Sequence, residues 1–119
     1  MTEEERTIII KNFSWFVGRT LSYLDITIAD VADSKDKHPK KVVLKKLFEK
    51  DIYALREKLL QLNAAEIRKQ IHPMIAKMLE TLSNYTMASI TDKLQKYTFN
   101  QLLSEAAQEL ENNLKEELK

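Results

Sequence analysis

A single glycine, Gly18, and two prolines, Pro39 and Pro73, are all the backbone-bending residues this chain has in 119 positions. Hairpins, bulges and tight turns draw on these residues for unusual or fixed φ, so a chain this poor in them is ill-suited to the repeated reversals of an all-β domain. Long helices with few connections tolerate the same composition. The length suits one core, and residues 1–119 read as a single helical-bundle domain. An apolar fraction of 44% beside 31% charged residues is that of a globular chain; a disordered one combines low apolar content with strong net charge.

Apolar spacing divides the chain into helices. Thr2 with Glu5 three residues on forms a capping-box pattern, so the first helix starts near Glu3, with an inward stripe of Ile10, Phe13, Val17, Leu21, Leu24, Ile28 and Val31 running to Asp33. Gly18 at its middle costs about 1 kcal/mol relative to alanine. Ser34 to His38 reads as a polar linker, and Pro39 fits the first turn of a second helix carrying Leu44, Phe48, Ile52, Leu55, Leu59 and Leu62. Asn63 with Glu66 repeats the cap pattern, so that helix is expected to stop at Leu62, the alternative being a bent continuation through Ala64 and Ala65. The third stripe is Ile67, Ile71, Met74, Met78, Leu82 and Tyr85, interrupted at Pro73. After Tyr85 the phase jumps to Met87, Ile90, Leu94 and Tyr97, which predicts a break or marked bend between Ser83 and Ser89. Thr98 with Gln101 suggests a cap for the final helix, with Phe99, Leu102, Leu103, Ala106, Leu110 and Leu114 inward and a fraying end. Short connectors imply antiparallel neighbours. The expected fold is therefore all-α, an up-and-down antiparallel bundle of four main helices with the third segment kinked or broken.

The same inventory bounds function. No cysteine is present, so disulfides, thiol nucleophiles and thiolate metal sites are excluded. The acidic start Met1-Thr2-Glu3-Glu4-Glu5 differs from a secretory signal, and no charge-free run has the length of a bilayer span; the expectation is a cytoplasmic protein without a membrane span. The two histidines, His38 and His72, fall outside any Glu-x-x-His pairing, so neither a metal nor a cofactor is expected. Gly18 alone cannot form a phosphate-binding glycine loop. Arg68 and His72, four apart, could share a helix face suited to phosphodiester chemistry, but Pro73 interrupts that helix and Arg68 reads as a surface or cap residue. No catalytic residue is assigned, and a small helical-bundle enzyme is the minor alternative.

Two features point towards partners. Ile8, Trp15, Ser22 and Ile26 fall close together on a second face of the first helix, roughly opposite its inward stripe, with Arg19 nearby. Aromatic and arginine anchors beside aliphatic residues suit an interface centre, whereas wrapping of the first helix by the others is the competing explanation. The leading expectation is a non-enzymatic protein-protein interaction or regulatory protein, a homodimer or a small subunit of a larger assembly. The second feature is the run Lys35, Lys37, Lys40, Lys41, Lys45, Lys46 and Lys50, set within a net charge of only +1. A solvated basic helix end explains it most simply. Contact with phosphate or with an acidic partner is the functional alternative. All four arginines lie outside the run, so any nucleic-acid contact would be sequence-nonspecific and made to the backbone.

Overall fold

Local hydrogen bonds set two of the helix starts. Thr2 and Asn63 each accept from the backbone N–H three residues on, while Glu5 and Glu66 accept from the cap residues' own N–H groups. Each box satisfies donors that a helix start leaves without intrahelical partners. The computed structural model describes residues 1–28 and 39–119, Pro39 by its backbone only. Four helices follow in order, α1 (Glu3–Thr27), α2 (Pro39–Leu59), α3 (Ala64–Ser89) and α4 (Lys93–Glu117). Each packs on its sequence neighbours and α4 closes on α1, giving an up-and-down antiparallel bundle of 50 × 23 × 18 Å.

One core runs the length of this rod. Phe13, Phe16, Phe48 and Phe99 are wholly buried among Ile9, Leu24, Leu44, Ile52, Leu59, Ile71, Leu82, Leu103, Leu110 and Leu114. Phe48 meets Phe99 at 5.6 Å between ring centroids and Tyr85 at 6.4 Å, both tilted, so aromatic contacts tie α2 to α3 and α4. One end gathers Ile28, the start of α2 and the α3–α4 connection at Ile90; it is called the Ile90 end below. At the other, the Leu118 end, the buried Asn12 donates to Glu117 at 2.9 Å, and Arg68 donates to the Leu118 carbonyl.

Several boundaries differ from the sequence expectation. α1 ends at Thr27, because Ile28 leaves the helical region with extended φ and ψ. Val31, Asp33 and the Ser34–His38 linker lie outside the described residues. The inward face of α1 is also rotated: Ile9, Phe13, Phe16, Val17, Thr20 and Leu24 are buried, whereas Ile10 is exposed and Leu21 half-buried. α2 stops as expected, its regular part ending at Leu59 and a turn continuing to Leu62. α3 passes through Pro73 and does not break between Ser83 and Ser89; Thr86 is buried and donates to the Leu82 carbonyl within the helix. Pro73 is on the exposed side, where a carbonyl deprived of its helical partner can reach water. The chain instead breaks at Ile90 to Asp92. α4 then starts at Lys93 and not at Thr98, because the Asp92 side chain accepts from Gln95 N–H at 2.8 Å. Nor does α4 fray: Leu118 is buried and its backbone N–H still reaches the Leu114 carbonyl.

Candidate interaction surface

Rotation of α1 decides what its outer face presents. At about 100° per residue, Gly18 lies nearly opposite Ile9, Phe16 and Thr20, and so marks the outer meridian of the helix. Beyond its chain neighbours and its own helix backbone, no atom lies within 4 Å of where a Cβ at Gly18 would stand. The glycine is therefore not required by any close approach inside the bundle. Beside it, Trp15 is half-buried, with its ring 6.5 Å from Phe16 and packed against the core, and the Arg19 guanidinium stands 5.3 Å from the Trp15 ring centroid. Cation–π contact of this kind holds both side chains in place. Ser14, Trp15, Gly18, Arg19, Ser22 and Ile26 line one shallow groove, and Ile26 is 75% exposed.

Four of the five side chains expected at an interface, Trp15, Arg19, Ser22 and Ile26, thus share one groove. Ile8 is separate: half-buried, it lines a neighbouring depression with Glu4, Thr7, Lys11 and Glu117. Trp15 and Ile8 are rim residues, half core and half surface, and do not point directly away from the core as their spacing suggested. Gly18 and Ser14 were missed as members of this surface. The signal available was a lone glycine in a long helix, which spacing alone could not place inside or outside.

The described members of the basic run do not form one surface. Lys41 is buried, within 3.8 Å of Asp25 and 3.5 Å of the Ile28 carbonyl oxygen, and Lys45 meets the same carboxylate at 2.5 Å. These two lysines bind α2 to the end of α1. Lys40, Lys46 and Lys50 are exposed, and Lys35 and Lys37 lie outside the described residues. With Lys41 buried and Lys45 engaged by Asp25, fewer of the described lysines are left to meet a phosphate backbone.

Arg68 and His72 do not converge on a site. Arg68 reaches the Leu118 carbonyl, while His72 pairs with Glu111 across the α3–α4 seam at 2.8 Å. Glu111, buried and also bound by Lys115 at 3.0 Å, was not singled out by the sequence because it falls in a run of polar residues. Burial pushes its pKa up, but the hydrogen bonds and charges of Lys115 and His72 together outweigh this and hold the carboxyl below its ordinary value. No group of three or more histidine, aspartate or glutamate side chains among the described residues is placed to hold a metal ion. No helix among them is long and apolar enough to cross a membrane. Comparison with protein-family models, with curated proteins and with solved structures gives no match.

Proposed function

We propose that this bundle is a non-enzymatic interaction module that associates through the outer face of α1, as a homodimer or as a small subunit of a larger assembly. One observation carries the reading. A mid-helix glycine that nothing inside the bundle requires stands open to solvent, beside a tryptophan and an arginine that brace one another. Glycine weakens a helix by about 1 kcal/mol, so its presence favours a neighbour that approaches the backbone closely from outside. Trp15 and Arg19 are the residue types in which interface energy concentrates, and exposed Ile26 extends the apolar area along the same groove.

The test compares wild type with Trp15→Glu and Gly18→Leu by sedimentation velocity, with circular dichroism as the folding control. Wild type is expected above its 13.9 kDa chain mass, alone or with a bound partner. Both variants should sediment at the chain mass, and Gly18→Leu should keep its helicity, since position 18 is exposed and a Cβ there stands in open space. Wild type that sediments at the single-chain mass and brings no partner through purification would remove the reading. So would unchanged association in Gly18→Leu.

A further inference from the structure

Of the eight exposed large hydrophobic side chains among the described residues, only Met1 and Ile10 lie away from the Ile90 end. Every helix contributes to the other six. Ile26 is in the last turn of α1, Val42 and Val43 begin α2, Met87 is near the end of α3, and Leu94 and Tyr97 occupy the first turns of α4, at 73% and 68% exposure. They form a collar around one end of the rod.

Among the described residues the same end is basic. Lys40, Lys46 and Lys93 are exposed and Lys96 is half-buried there. Among the described residues, the acids within two turns of this end are Asp25, held by Lys45 and Lys41, and Asp92, which caps α4. α1 and α3 start with acidic first turns, as the helix dipole favours, but the first turns of α2 and α4 contain no acid and carry lysines instead. Helix stability does not call for lysine at those positions. Both helices place lysines in their first turns beside the apolar collar, α4 behind its Asp92 cap.

We infer that the Ile90 end docks the bundle end-on to an anionic lipid surface. An apolar collar interleaved with exposed lysines is complementary to the anionic membrane interface, where acyl chains lie beneath acidic headgroups. A bilayer demands no complementary shape. It accepts aliphatic side chains at the acyl boundary, a tyrosine at headgroup depth and lysines against acidic headgroups. A phosphate backbone would use the lysines but has no place for Val43, Leu94 or Met87. The collar shares Ile26 alone with the α1 groove, and the changes tested below touch no groove residue.

The experiment is co-sedimentation of the full chain with vesicles of phosphatidylcholine, with and without phosphatidylserine, across a salt series. Binding is expected only with phosphatidylserine and should fall as salt rises. Leu94→Ser with Tyr97→Ser should weaken it about tenfold or more through lost apolar burial. Lys46→Gln with Lys93→Gln should weaken it about 25-fold, at roughly fivefold per lysine near an anionic surface. All four positions are exposed, so circular dichroism should be unchanged. Absence of binding to phosphatidylserine vesicles overturns the inference. Displacement by soluble glycerophosphoserine at matched headgroup concentration would show a small-anion site and also overturn it. Binding to a fluorescent DNA duplex that equals vesicle binding and ignores the Leu94 and Tyr97 changes would assign the end to nucleic acid.

Discussion

His72 of α3 and Glu111 of α4 face one another at 2.8 Å, with the histidine 71% exposed and the carboxylate only 7%. The carboxylate can only accept, so His72 Nδ1 donates, and Lys115 Nζ donates to the other oxygen at 3.0 Å. Because the folded-state pKa of Glu111 is depressed, its contribution is present above the unfolded value of 4.5 and is lost as pH falls through the lower folded value. The stability of wild type, read by chemical denaturation, should therefore fall progressively below about pH 4.5, the unfolded value. In Glu111→Ala the loss at neutral pH is expected to be about 1 to 2 kcal/mol with a flatter acid limb. His72→Ala should cost under about 1 kcal/mol, since solvent screens an exposed partner.

The Leu118 end should be the best-protected terminus. Asn12 donates both to the Ile8 carbonyl and to Glu117, and Leu118 is buried beneath the Arg68 contact. Leu118→Ala is expected to cost about 2 to 4 kcal/mol and Asn12→Ala about 1 to 2 kcal/mol. Hydrogen exchange provides the check. Amides of the last turn of α4 should exchange slowly in wild type and quickly in both variants, and equal rates in all three would show that the contacts do not hold the terminus.

Gly18→Ala separates folding from association. The added methyl meets nothing within 4 Å and the backbone there has negative φ. The variant should gain up to about 1 kcal/mol of monomer stability, read as a higher urea midpoint at low protein concentration. A destabilised variant would mean that the outer face of α1 is more crowded than its geometry indicates.

The lysines of α2 should divide into two classes. Lys41→Gln is expected to lose about 1 to 2 kcal/mol, because that side chain is buried against Asp25 and the Ile28 carbonyl. Lys40→Gln and Lys46→Gln, both exposed, should stay within about 0.5 kcal/mol of wild type. Thermal melts of the three single variants decide it, and a uniform response would remove the distinction.

Tyr85 offers a spectroscopic check on the α2–α3 seam. A hydrogen bond to Asp51, with some burial and the charge of the same carboxylate, raises its pKa above 10.0. Ultraviolet titration should resolve one tyrosine that ionises late, and Asp51→Asn should bring it down. Since the folded value is raised, this pair stabilises the fold below about pH 10 and its contribution is lost as pH climbs through the folded value.

The sequence by itself determined the number of helices, their antiparallel order and the starts at Thr2 and Asn63. These follow from contacts a few residues apart: a cap and its acceptor three positions on, or apolar side chains one turn apart, are neighbours whatever surrounds them. The tertiary structure alone decided which face of α1 turns inward. Ile8, Ile9 and Ile10 are consecutive, so the spacing admits more than one inward stripe, and packing against α2 and α4 selects Ile9. The same holds for the off-phase series Met87, Ile90, Leu94 and Tyr97, which share one spacing in the sequence. It spans two helices, and only Ile90 is buried. Periodicity records that side chains share a direction. Whether that direction leads to core or to solvent depends on where distant helices lie, and that is also what buries Glu111, leaves Gly18 open and gathers an apolar, basic collar at the Ile90 end.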